Sequence, residues 1–298
     1  TNVITLDLSG VTTVATGDPG TGNSSSANYV IDTLRPTATI VVSDTDLIVG
    51  ESSVVTFVFN EIVTDFSNAD LTIPNGTLSN VTSLTDGSVW QATFTPTLGF
   101  EVPGNVITLN EASVQDLVGN LNSGTTDSNI FDIDSLAPTV FSINTSDDLI
   151  SDTDTGAGKT FSIVVTFSEV MDTSVTPTLV FGQPVNTTLS NPSIVWSNGD
   201  KTYTVTYDVA DGNINLPNIT VDVTGAQDVN GNLMQNYPAS SEFSIDTENQ
   251  TVSISDNNID GTVSDADATV TYTLTFSETV QDLADTDITI TGGNLVPD

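Results

Sequence analysis

Strict alternation of apolar and hydroxyl residues is the dominant pattern along this chain. In residues 269–276, Val270, Tyr272, Leu274 and Phe276 alternate with Thr269, Thr271, Thr273 and Thr275. That spacing puts an apolar row on one face of a half-buried strand and hydroxyls on the other. Tyr203, Val205 and Tyr207 sit likewise between Thr202, Thr204 and Thr206, and Trp90, Ala92 and Phe94 lead to Pro96. Thr-rich outer faces suit pleated structure. Between the runs lie turn clusters, Pro74-Asn75-Gly76, Asp86-Gly87, Asn198-Gly199-Asp200 and Asp211-Gly212-Asn213, spaced as in a sandwich of short antiparallel strands. No convincing amphipathic helix interrupts them, so the pattern predicts an all-β chain.

Self-similarity at a period of about one hundred residues sets the domain count. Asn2-Val3-Ile4-Thr5-Leu6 matches Asn105-Val106-Ile107-Thr108-Leu109, and Ile31-Asp32-Thr33 matches Ile133-Asp134-Ser135 and Ile245-Asp246-Thr247. Phe59-Asn60-Glu61, Phe167-Ser168-Glu169 and Phe276-Ser277-Glu278 form a second series, and Asp116-Leu117-Val118-Gly119-Asn120 returns as Asp228-Val229-Asn230-Gly231-Asn232. These registers predict complete repeats at 35–136 and 137–247, each of immunoglobulin-like size. Residues 1–34 match the closing strands of a repeat, with Val3–Leu6 and Tyr29–Ile31 as strands, and 248–298 match the opening ones. The expectation is a segment of a longer tandem array.

The order Pro, Phe-Ser-Glu, Asn-Gly-Thr-Leu-Ser, Asp-x-x-Gly-Asn and Ile-Asp-Thr resembles the bacterial Ig-like repeats that build the stalks of giant secreted surface adhesins. The first complete repeat carries it best, with Asn75-Gly76-Thr77-Leu78-Ser79 in place, whereas Val180-Phe181-Gly182-Gln183 replaces that segment in the second. The resemblance implies tandem immunoglobulin-like Greek-key β-sandwiches arranged end to end. It also implies a Ca²⁺-stiffened spacer without catalysis.

Composition removes most other functions. The chain has 298 residues with 39 Asp plus Glu, 3 Lys plus Arg, no His and no Cys, for a formal charge of −36. Without Cys and His there is no disulfide framework, no thiol nucleophile, no imidazole base and no ordinary zinc centre. Arg35, Lys159 and Lys201 are too few to neutralise phosphates, which argues against nucleic acid and anionic membranes as partners. No apolar run reaches the roughly 18 residues of a membrane span. The periodic apolar residues mark a folded chain despite its charge.

Strand parity places the acids. In the first complete repeat the second strand ends near Phe59, so the turn that carries Glu61, Asp65 and Asp70 lies at the N-terminal pole. The loop 116–120 and the linker residue Asp32 come to the same pole. The predicted oxygen ligands are Asp32, Glu61, Asp70, Asp116 and Asn120 at the first junction, Asp134, Glu169, Asp228 and Asn232 at the second, and Asp246 with Glu278 at a third. Such oxygen-only sets suit Ca²⁺, and Gly119 and Gly231 let their loops turn tightly around one point. Asp, Asn and Gly are also ordinary turn residues that cap backbone groups. Acidic turns at the opposite poles, around Asp44 and Asp46, Asp147 to Asp154, and Asp256 to Asp267, divide evenly between solvated turns and further ion sites.

The sequence therefore predicts an extracellular, cell-surface stalk for adhesion or biofilm. Its partners are the neighbouring repeats of the same chain, with lateral or head-to-tail self-association as a possible addition. An S-layer or filament subunit is the alternative, as is a carbohydrate- or protein-binding module using the divergent segment from Phe181 to Trp196. A two-carboxylate glycosidase would keep its acids in one unrepeated cleft, whereas these recur repeat after repeat. Trp90, in phase with Ala92 and Phe94, reads as core, and Trp196 is open between core and sugar contact.

Overall fold

The alternating runs become strands in the computed structural model, which describes residues 2–258, 262 and 269–292. The chain is all-β with four short 3₁₀ turns among the described residues. It divides into two compact units, one of Thr1–Pro138 with Gln227–Met234 and one of Thr139–Ala226 with Gln235–Asp298.

In the first unit, Ser53–Phe59 lies between Ala38–Val42 and Val89–Pro96, and Gly76–Leu78 continues the sheet beyond Val89–Pro96. Alternation along Ser53–Phe59 is exact: Ser53, Val55, Phe57 and Phe59 are buried, and Val54, Thr56 and Val58 are not. A second sheet runs Glu101–Asn105, Phe131–Asp134, Asp46–Ile48, its last pair parallel, and a third runs Thr125–Asp127, Thr108–Asn110, Leu71–Thr72. The core between them holds Ile40, Phe57, Phe94, Ile107, Leu109, Phe131 and Ile133. Phe94 of the first sheet meets Phe131 of the second edge to face at 5.1 Å, so the two layers interdigitate as a sandwich. Trp90 packs on Phe66 at 5.5 Å and donates its indole N–H to the Gly87 carbonyl at 2.9 Å, which settles it as a core residue with a satisfied polar edge.

The second unit repeats this plan. One sheet runs Val140–Thr145, Thr160–Phe167, Thr202–Val209, Leu189–Ser197, and the other runs Leu149–Ser151, Ser240–Asp246, Asn215–Thr224, Thr178–Phe181. Phe161 and Phe243 bridge the layers at 4.7 Å. Trp196 lies against Tyr203 at 4.9 Å and Phe167 at 5.9 Å, and Phe181 contacts Tyr207 and Phe243. The divergent segment thus sends its rings into packing.

The outlying segments are thinner. Thr5–Asp7 pairs with Asn23–Ser25, and Tyr29 makes only a bridge to Asn2. The expected strand at Tyr29–Ile31 is absent because Val30, 91% exposed, has no apolar layer to pack on. Val252–Asp256 pairs with Tyr272–Phe276, shorter than the alternation over 269–276 suggests. Asp260, Asp265 and Asp267 lie outside the described residues.

Candidate metal centre

The Asp-x-x-Gly-Asn loop is built around its first carboxylate. Asp116 Oδ1 accepts from the backbone N–H of Val118 at 2.9 Å and of Asn120 at 2.8 Å, and Oδ2 accepts from Asn120 Nδ2 at 2.7 Å. Closing so tight a turn needs Gly119 at φ +95°, a conformation costly for residues with a Cβ. The Asn120 amide also donates to the backbone carbonyl of Asp32 at 3.2 Å. The loop therefore folds on itself and grips the linker that precedes the sandwich. Burial pushes the Asp116 carboxyl up, but the Asn120 amide and the loop N–H groups outweigh it and hold Asp116 below the ordinary aspartate range.

Against this loop stand two more acids. Carboxylate oxygens of Asp32, Glu61 and Asp116 lie within 4.8 Å of one another; Asp32 is exposed, Glu61 half-buried and Asp116 buried. Glu61 is placed by the end of Ser53–Phe59, where Asn60 fixes the strand through bonds to Thr37 N at 2.7 Å and Thr37 O at 3.1 Å. Its Oε1 is shielded from water and has no hydrogen-bond partner. Burial, then the charges of Asp116 and Asp32, raise its pKa. A carboxylate with one shielded oxygen and two like charges close by favours a cation or a proton.

Asp70 does not join this group. Its Oδ2 caps a 3₁₀ turn by accepting from Ser67 N at 2.8 Å, and its Oδ1 accepts from the Ser113 hydroxyl. Sequence parity brought it to the right turn, but its carboxylate is spent on capping.

Asp228 repeats the Asp116 loop closely. Its Oδ1 accepts from Asn230, Gly231 and Asn232 N at 2.9, 2.7 and 2.9 Å, and Oδ2 from Asn232 Nδ2 at 2.9 Å. Asn232 Nδ2 grips the Asp134 carbonyl at 3.1 Å, its Oδ1 accepts from Val49 N at 2.7 Å, and Asn230 Nδ2 bonds the Asp134 carboxylate. Glu169 is a half-buried residue of the second unit, just beyond Thr160–Phe167. Asp246 ends Ser240–Asp246 with Oδ1 buried and unpartnered, and the exposed Glu278 follows Tyr272–Phe276. Asp246 and Glu278 join no group of three acids among the described residues.

Sequence reasoning missed the gripping role of Asn120 and Asn232, which act here through N–H donation to linker carbonyls. The signal was present: both loops keep an amide at a position where a carboxylate would serve a cation better. At the opposite turns the acids cap backbone, as with Asp44 on Asp46 N at 3.2 Å, Asp147 on Leu149 N at 3.1 Å and Asp154 on Ser151 N at 3.0 Å.

Two facing sheets, an interdigitated aromatic core and acid-lined linkers define the class as immunoglobulin-like β-sandwiches. Residues 32–133 match the family model of the bacterial Ig-like domain, a span that contains Asp32, Glu61, Asp116 and Asn120. No curated protein matches the chain. Among solved structures, the Escherichia coli adhesin FdeC, described as eliciting protection against urinary tract infections, aligns at 12% identity and a TM-score of 0.32, over 80% of this chain and 72% of that one. Among the described residues, no helix is long and apolar enough to cross a membrane.

Proposed function

We propose that this chain is a non-catalytic extender of an extracellular surface adhesin or fibre, held stiff at its linkers by Ca²⁺. One observation carries the reading: the Glu61 carboxylate, one oxygen of which is shielded and unpartnered, lies within 4.8 Å of those of Asp32 and Asp116. Oxygen-only donors in a chain without His or Cys suit a hard cation. Asp32, Glu61 and Asp116 would hold the ion, which supplies the counter-charge that Arg35, Lys159 and Lys201 are too few to give. Because Asp32 belongs to the linker and the other two acids to the sandwich, an ion among them ties one to the other. The neighbouring repeats of the chain are then its partners, and no bond-making chemistry is asked of the acids.

Calorimetric titration and small-angle scattering in Ca²⁺ and in chelator test this. An ion bound only by the folded state adds about 2.7 kcal/mol at one hundred times Kd, so melting rises and the radius of gyration increases with Ca²⁺. Equal melting and equal radius of gyration in the two media would refute the reading.

A further inference from the structure

The acids carried on strands of the 35–136 sandwich lie outside its first sheet. In the sheet around Phe131–Asp134, Asp132 pairs with Asp46 and Asp134 with Glu101 across strands, and Asp127 lies opposite Thr108 in the sheet beside it. Like charges in register destabilise a sheet, so this arrangement is not one that strand stability would choose.

The first sheet differs. Its outward positions form cross-strand rows such as Val41–Thr56–Gln91 and Val54–Thr93, and no outward residue on Ala38–Val42, Ser53–Phe59 or Val89–Pro96 is charged. Val41, Val54 and Val58 are 47%, 40% and 42% exposed. In the second unit the matching sheet sets Val164, Thr204 and Val195 in one row, with Asp208 at one end.

We infer that the outward face of the first sheet is where a second copy of the chain packs laterally, sheet face against sheet face. The argument is one of charge. With a formal charge of −36, two copies that meet through their acidic sheets set carboxylate against carboxylate, whereas two of these faces meet without any. β-branched Val and Thr present the shape that stacked sheets interdigitate at about 10 Å, and a two-fold axis lets one face serve both copies.

Four strands of three to eight residues, about 4.8 Å apart with about 3.4 Å per residue, give a footprint of roughly 380 Å² per copy, below the size of stable specific interfaces and in the class of weak, transient ones. One such contact is weak, and contacts repeated along a fibre add by avidity.

Sedimentation equilibrium of the whole chain, at about 0.15 M salt to screen net charge, tests this in both Ca²⁺ and chelator. Weight-average mass is expected to climb toward twice the monomer value between tens and several hundreds of micromolar. Thr56→Glu, which places a carboxylate at the centre of the face, should weaken association at least tenfold, and Asp132→Asn on the acidic sheet should not weaken it. Val54→Thr keeps the β-branched shape and should weaken association a few-fold with melting unchanged, which separates contact from fold. A wild-type chain that stays monomeric throughout overturns the inference, including the case in which the face takes another uncharged partner. Association that Thr56→Glu leaves intact overturns it equally. Self-association without ion uptake would sink the calcium reading alone.

Discussion

Replacing Asn232 by alanine removes a buried amide whose every polar atom is engaged. Asn232 is 1% exposed; it donates to the Asp134 carbonyl at 3.1 Å and to Asp228 Oδ2 at 2.9 Å, and accepts from Val49 N at 2.7 Å. Those three partners fix the amide orientation, since two need a donor and one an acceptor. At about 1 kcal/mol for an ordinary bond and about 1.5–3 kcal/mol for one to a carboxylate, less what water restores at the partly exposed Val49, the loss is about 3 kcal/mol. Asn120 makes the matching bonds at 3.2 and 2.7 Å from a half-buried position, so Asn120→Ala should cost about half as much. For a unit of this size that corresponds to falls of roughly 10 and 5 °C in melting temperature. Calorimetry in chelator reads both, free of any ion.

Asn232→Asp sharpens the test. It keeps the bond from Val49 but turns a donor into a carboxylate oxygen facing Asp228 Oδ2 and the Asp134 carbonyl. At pH 7 it should melt below Asn232→Ala, and the gap should close as pH falls toward the aspartate range near 4. An Asn232→Asp chain more stable than Asn232→Ala at pH 7 would refute the donor role, and equal losses from Asn232→Ala and Asn120→Ala would refute the argument from burial.

Glu61 has a raised pKa, so in chelator its protonated form favours folding: that contribution is complete below the unfolded-state value and is lost as pH rises through the folded one. Melting in chelator should therefore improve as pH drops through the window just above the ordinary glutamate range, and Glu61→Gln should flatten that slope. Titration calorimetry should show Ca²⁺ affinity falling at least tenfold in Glu61→Ala or Asp116→Ala and less than twofold in Asp208→Ala, whose carboxylate bonds Asn191 Nδ2 at 2.9 Å; equal losses would point to diffuse charge. A Cβ on Gly76 would lie 2.4 Å from Phe94 Cζ and 2.7 Å from the Thr95 carbonyl, whereas one on Gly119 meets nothing within 4 Å. In urea melts Gly76→Ala should then cost about 2–4 kcal/mol and Gly119→Ala, which bears only its positive φ, about 1 kcal/mol.

Sequence periodicity revealed the sandwich because a half-buried strand writes burial directly into alternation, as along Ser53–Phe59 and Thr202–Val209. It failed where nothing covers the apolar row. Tyr29-Val30-Ile31 is as rich in aromatic and β-branched residues as a real strand, yet it holds no ladder because strand propensity needs a packed neighbour. Strand parity was enough to bring Asp32, Glu61 and Asp116 to one pole, since it fixes which loops share an end. Parity says nothing of which way a side chain turns within its loop. Asp70 and Asp116 therefore looked alike, although one caps a 3₁₀ turn and the other faces Glu61.

The linker at Asp32 is held by two devices of different physics, and their difference bears on how an ion would act there. Asn120 grips the Asp32 carbonyl through a neutral hydrogen bond, which neither salt nor chelator changes. The carboxylates of Asp32, Glu61 and Asp116 repel one another without a counter-charge. An ion held by all three would therefore remove a repulsion and add a second tie to a linker that the amide already holds. Loss of Ca²⁺ should accordingly loosen the linker by degrees and leave it attached. Asn120→Ala in chelator removes both restraints together, and the radius of gyration should fall further below its Ca²⁺ value in that variant than in wild type under the same chelator. Identical scattering from the two would mean the amide grip contributes nothing to holding the linker.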